Sequence, residues 1–326
     1  MDTNTFQPRT DLSALQTGVE AIREQIGKVI VGQSEMVDLL ITALLAQGHV
    51  LIEGVPGVAK TLTAKLLAQS IDAGFSRIQF TPDLMPADVL GTSVFNPQTR
   101  EFEYKKGPVF SNLILIDEIN RAPAKTQSAL FEVMEERQIT NDGNTYRLER
   151  PFMVIATQNP IEQEGTYRLP EAQLDRFLFK IQVKYPDLQE EISILEAMNR
   201  LHTPADITSV VEKVLTSAEL IHYQHQVKQV RVDEKILHFI AEIVHATRQH
   251  SSLYLGASPR ASISVMNCAK AQAAMNNRDF VIPEDVTGIM KHVLRHRIIL
   301  TPEREMEGIT TDDVIDQIIK TVEVPR

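Results

Sequence analysis

The chain has 326 residues, a formal net charge of −10, 43% hydrophobic and 23% charged residues, and one cysteine. That length can bury at least one sizeable core and suggests two domains, and the composition is that of an ordinary soluble protein. A lone Cys268 excludes an intramolecular disulfide, no apolar run approaches the roughly 20 residues of a membrane helix, and the acidic balance argues against non-specific nucleic-acid binding.

The N-terminal MDTNTFQPRT carries no basic-then-apolar signal pattern, and one buried-type cysteine fits a reducing, cytoplasmic setting. The first expected strand, Val50–Glu53, runs into Gly54-Val55-Pro56-Gly57-Val58-Ala59-Lys60-Thr61 and then an amphipathic stretch from Leu62 to Ala68. A glycine-rich turn between a buried strand and a helix grips phosphate, because its backbone N–H groups point inward and the helix N-terminus adds positive potential. Gly54 through Leu62 are therefore the expected nucleotide contacts. Lys60 would reach the β- and γ-phosphates, and the Thr61 hydroxyl would help hold Mg2+. The usual pattern has glycine where this chain has Ala59. With an ordinary negative φ expected there, its Cβ is a matter of clearance and not of backbone strain.

Further short apolar strands are expected at Arg77–Phe80, Leu113–Asp117, Phe152–Thr157 and Phe179–Val183, alternating with helix-patterned segments. That alternation implies a parallel α/β sheet covered on both faces. The third strand ends in Asp117-Glu118, which delivers two carboxylates to the carboxyl edge of the sheet, where ligands bind in such folds. Asp117 would hold Mg2+ through its water shell and Glu118 would polarise a water for attack; the plainer reading is a helix cap. Asn159, after the fourth strand, would orient that water, although Asn159-Pro160 alone is a turn signal. At the end of Leu169–Phe177, Arg176 would either reach a neighbour's nucleotide site or pair within its own subunit with Asp175 or Glu171.

Tyr185-Pro186-Asp187 marks a break, so an α/β domain over 1–185 and a helical domain over 186–326 are expected. The helices are expected at Leu188–Leu201, Ile207–Gln224, Asp233–Gln249, Pro259–Met275 and Pro283–Arg295, with Asp233 as a cap. Ser258 and Pro259 start a helix with Arg260 in its first turn. A cation there opposes the helix dipole and so answers an anion, for which phosphate is the natural candidate. His292 and His296 stand at i, i+4 without a Cys or carboxylate to complete a metal site, and read as solvated or cap-forming.

Together these residues resemble the AAA+ ATPases and, within them, the MoxR family. The carriers are Glu53–Thr61, Asp117–Leu130, Met134–Gln138, Ala156–Pro160, Leu169–Phe177 and Gly256–Ala261, and the resemblance extends from about Val29 to Ile299. Ala59 departs from the general nucleotide pattern but agrees with this family. The resemblance implies an AAA+ module of strand order 5-1-4-3-2 followed by a helical lid. It also implies ATP with Mg2+ bound between the subunits of a ring, usually a homo-hexamer, and a separate partner with a von Willebrand factor A-type (VWA) domain. On that reading Arg176 is a finger acting in trans, with Arg168 as a rival, and Arg260 is a second sensor. Two hairpin insertions are expected, in Thr81–Pro108 with its turn at Asn96–Thr99 and in Gln138–Leu148 with its turn at Asn141–Asn144. In related rings such hairpins project toward the pore or the substrate.

The expected function is ATP hydrolysis in a chaperone-like factor that remodels or matures other proteins. A nucleic-acid motor is the rival, opposed by the acidic balance and by the lack of a separate nucleic-acid-binding domain. A nucleotide-dependent scaffold without turnover is a third reading, opposed by the intact Asp117-Glu118 pair.

Overall fold

The computed structural model describes residues 10–160, 167, 169–200 and 210–325. Helices α1 (Ser13–Gly27) and α2 (Ser34–Leu45) lead into β1 (Val50–Gly54), α3 (Lys60–Ser70) and β2 (Phe75–Gln79). The chain continues through α4 (Pro86–Leu90), β3 (Gly91–Asn96), β4 (Glu101–Lys106), β5 (Leu113–Asp117) and α5 (Ala124–Glu136). Next come β6 (Gln138–Asn141), β7 (Asn144–Arg147), β8 (Met153–Gln158), α6 (Glu171–Leu174), β9 (Phe179–Val183) and α7 (Leu188–Arg200). Five strands form one parallel sheet in the order β2-β5-β8-β1-β9. Counted in order of appearance this is 5-1-4-3-2, the order that the family resemblance implies.

The sheet's two faces explain where the polar residues go. Leu113, Ile114, Leu115 and Ile116 are all fully buried, so β5 is covered on both sides. Ile114 and Ile116 share one core with Leu51, Ile78, Val154, Ala156 and Phe131. Strand alternation then turns Arg77, Gln79, Asp117 and Thr157 together onto the other face. In the first core Phe131 meets Phe177 edge to face, with centroids 5.7 Å apart, and truncating either to alanine would cost roughly 3–5 kcal/mol.

At the amino end of the sheet, buried polar groups stitch the strands together. His49 Nδ1 accepts from the Val154 N–H at 2.9 Å, so its Nε2 carries the proton and donates to the Met134 carbonyl at 3.0 Å. Burial lowers the His49 pKa to about 4, which keeps the ring neutral. Nearby, Asn112 accepts from Gly74 N–H at 3.0 Å through Oδ1 and donates to the Pro151 carbonyl at 2.9 Å.

Both expected hairpins form, as β3–β4 and β6–β7. They are also joined to each other. Ser93 Oγ donates to Asp142 Oδ2 at 2.6 Å, and Tyr104 stacks on Tyr146 at 4.4 Å.

Contacts divide the chain into one compact unit over Ala21–Ile221 and a second made of the residues up to Glu20 with those from His222 onward. The division expected at 185/186 therefore lies elsewhere, and hydrogen bonds show why. Gln69 Nε2 donates to the Val211 carbonyl and Leu215 N–H to the Ser70 carbonyl, which holds this stretch on α3. Tyr223 Oη and Gln226 Nε2 bond the carbonyls of Ala14 and Asp11, which ties the N-terminal segment into the second unit. The helix expected at Ile207–Gln224 is observed at Ser217–Gln229, and residues 201–209 lie outside those described.

The second unit contains helices Glu234–Gln249, Pro259–Met275 and Pro283–Leu294, and also Pro302–Met306 and Thr311–Thr321, which the sequence reading did not include. Asp233 caps its helix as expected, accepting from the Lys235 N–H at 2.9 Å. His292 and His296 are 9% and 7% exposed, not solvated, because they share their segment's inner side with fully buried Val293 and Leu294. Among the described residues no helix is long and apolar enough to cross a membrane.

Candidate nucleotide site

The site grows out of the end of β1. A Cβ on Gly54 would lie 2.9 Å from the Val183 carbonyl oxygen, so the close approach of β1 to β9 at this point needs glycine. The chain then turns through Gly57, at φ +88, and Ala59, at φ 59 and ψ 17, into α3. Ala59 is thus left-handed, against the ordinary negative φ expected. The reversal that brings the loop onto the start of α3 falls on this position whatever residue holds it, and costs alanine about 1 kcal/mol. The Ala59 carbonyl is fixed by Thr63, whose N–H and Oγ1 donate to it at 2.9 and 3.0 Å.

A cleft of about 390 Å³ opens beside this loop at the carboxyl end of the sheet. Pro56, Gly57, Ala59, Lys60, Thr61 and Leu62 line it from the loop side, and Asp117, Glu118 and Asn159 from the strand ends. All of these were expected from the sequence. Gly54, Val55 and Val58 build the loop without lining the cleft, and Val58 is anchored in the core at 6% exposure. Arg77, Gln79 and Thr157 also line the cleft, and the sequence reading assigned none of them a role.

Lys60 Nζ donates to the Gly54 carbonyl at 2.5 Å. Burial holds its pKa below the ordinary lysine value, while Asp117, Glu118 and Glu53 pull it upward. Asp117 divides its two oxygens: Oδ1 accepts from Thr157 Oγ1 at 3.2 Å and from Thr61 Oγ1 at 3.5 Å, and Oδ2 meets Arg77 Nε at 2.6 Å. Glu118 sits at φ 57 and ψ 53, a strained conformation for a residue with a side chain. Its N–H donates to Thr157 Oγ1 at 3.1 Å, while Oε2 accepts from Gln79 Nε2 and lies 2.9 Å from Arg121 Nε. The Glu118 side chain makes no helix-cap hydrogen bond, so the plainer reading of this residue does not describe it.

The Thr61 hydroxyl and the Asp117 carboxylate are hard oxygen donors side by side. That donor set suits Mg2+, which keeps most of its waters and takes few protein ligands. Among the described residues no group of three or more His, Cys, Asp or Glu is placed to hold a metal by itself.

Arg176 is not in this cleft. Its Nη1 donates to the Phe131 carbonyl at 2.6 Å and its Nε lies 3.4 Å from Glu135 Oε2, so the ion pair goes to α5. Arg168 lies outside the described residues. Arg260 belongs to the second unit, exposed in the first turn of Pro259–Met275, where Ser258 is the N-cap residue and Pro259 the first helical one.

Comparison with known proteins agrees with this geometry. The family model for the ATPase family associated with various cellular activities (AAA) matches residues 49–179, and that for the AAA lid domain matches residues 245–318. The chain is 49% identical over 302 residues to the uncharacterized protein YeaC of Bacillus subtilis, covering 93% of each chain. It is 43% identical over 311 residues to Chaperone MoxR1 of Mycobacterium tuberculosis, covering 93% of this chain and 81% of that one. A solved structure, of a putative ATPase from Cytophaga hutchinsonii, superposes with a TM-score of 0.89 at 43% identity over 97% of both chains. The chain belongs to the MoxR family of AAA+ ATPases.

Proposed function

We propose that this ATPase is a Mg2+-dependent, ring-forming motor that remodels or matures other proteins in a chaperone-like way. The observation that carries the reading is the single cleft shared by Lys60, Thr61, Asp117, Glu118 and Asn159. Lys60 binds the β- and γ-phosphates once it leaves the Gly54 carbonyl. Thr61 and Asp117 hold Mg2+, which supplies charge neutralisation on the phosphates. Glu118 takes the proton of the attacking water, and Asn159 orients that water against the γ-phosphate. Arg176 serves the site of the next subunit, and Arg260 is the second sensor that the family resemblance implies. A chaperone role is supported by the name of the Mycobacterium relative, and the hairpin pair is the surface offered to clients. A separate VWA-domain partner and a hexameric ring follow from the family resemblance.

The test is ATP hydrolysis measured against protein concentration, with molecular mass recorded in parallel, for the parent and for Arg176→Ala. The rate per subunit is expected to climb with assembly and to collapse in the variant while the mass is kept. A rate independent of concentration, or an Arg176→Ala enzyme as fast as the parent, would remove the shared-site reading.

A further inference from the structure

The loop and the strand ends around the cleft carry three acids, each with its own cation. Glu53 Oε1 meets Lys180 Nζ at 2.9 Å, Glu118 Oε2 meets Arg121 Nε at 2.9 Å, and Asp117 Oδ2 meets Arg77 Nε at 2.6 Å. The third pair is unlike the other two. The Asp117 side chain is 10% exposed, whereas that of Arg77 is 56% exposed and stands on β2, the edge strand of the sheet. The cation therefore comes in from the solvent side onto a carboxylate that cannot itself move out. It also takes only one oxygen, leaving Oδ1 turned toward Thr61.

We propose that Arg77 is a positioning residue of the nucleotide site: it neutralises Asp117 while no divalent cation is bound and so sets how strongly the site takes one. The proposal rests on the reading of Asp117 as a cation-holding residue. Two effects of opposite sign follow from Coulomb's law at these distances. With the cation-free site, Arg77 cancels a negative charge that would otherwise repel the phosphates of an arriving nucleotide. Toward a divalent cation on the Oδ1 side, the same guanidinium is a like charge and weakens binding. A residue that only supported the fold would move both affinities the same way.

The experiment uses the full chain in three forms, the parent, Arg77→Ala and Arg77→Lys, checked for equal thermal unfolding. Mn2+ binding without nucleotide is followed by electron paramagnetic resonance, and binding of a fluorescent ATP analogue is followed in excess EDTA. In Arg77→Ala, Mn2+ should bind roughly 3- to 10-fold more tightly and the metal-free nucleotide more weakly by a similar factor. Arg77→Lys, which keeps the charge, should move both back toward the parent. Mn2+ affinity that is unchanged, or that falls together with nucleotide affinity, would overturn the counter-ion role while leaving the cleft's function intact. A parent that binds neither Mn2+ nor nucleotide would overturn the reading of the cleft and the proposal with it.

Discussion

The two ends of one sheet are built on different physical terms. At the amino end, buried His49 and half-buried Asn112 are neutral and bonded to backbone of the strand β8, the helix α5 and the segments leading into β2 and β8. At the carboxyl end Lys60, Arg77, Asp117 and Glu118 bring charges into one cleft, and two backbone positions there, Ala59 and Glu118, are held at positive φ, as Gln47, Asp72 and Arg137 are toward the amino end. Positive φ occurs at both ends, so what separates them is the cluster of charged groups facing one cleft at the carboxyl end. The lesson is that the strand starts hold the fold while the strand ends are kept ready for chemistry.

The largest effect should come from the carboxyl end. Glu118→Gln keeps the shape of the side chain and removes the base, so hydrolysis should fall about 100-fold or more while nucleotide binding stays near the parent level. Turnover equal to the parent's would take Glu118 out of its role. The amino end should show the reverse pattern. His49→Ala leaves the Val154 N–H and the Met134 carbonyl buried without their partner and opens a cavity, costing about 3 kcal/mol in urea unfolding. Hydrolysis per folded molecule should be unchanged; a variant as stable as the parent but inactive would invert the comparison.

The same histidine gives a pH signature. Its pKa is about 4 in the folded chain against an ordinary 6.5, so the unfolded chain binds the extra proton between those values. Its contribution is therefore complete above pH 6.5 and is lost as pH falls toward 4, by roughly 3 kcal/mol. Urea midpoints taken across that range should fall more steeply for the parent than for His49→Gln. The smallest effect is at the loop. Ala59→Gly relieves a left-handed alanine and should stabilise the chain by about 1 kcal/mol, read as a higher urea midpoint. A loss of stability there would mean that the strain at αL is smaller than the extra freedom glycine gives the unfolded chain.

Much of this was legible in the sequence. Apolar runs ending in polar residues gave the strands, and the residues after Val50–Ile52, Leu113–Ile116 and Val154–Ala156 gave most of the cleft. Arg77, Gln79 and Thr157 were missed because each looks ordinary inside its own strand. Only the placement of β2 and β8 on either side of β5, with Gln79 level with Asp117 and Ala156 level with Ile116, brings them to the carboxylates. Period-two alternation could have flagged them, since Arg77 and Gln79 flank Ile78 and Thr157 follows Ala156. The sign of φ at Ala59 was not readable from residue type, because closure of the loop fixes it. The division between units was hidden for a related reason: the bonds from Gln69 and Ser70 to the 211–215 stretch are long-range, and Tyr185-Pro186 is only a local break.

The joined hairpins bear on grafting. Although residues 107–137 of the chain separate them, Ser93 and Tyr104 on one are bonded and stacked with Asp142 and Tyr146 on the other. They form one composite arm with two roots in the chain. Transplanting either ribbon alone into a relative would strand Tyr104 or Tyr146 without its stacking partner, so exchange between relatives should succeed only when both travel together.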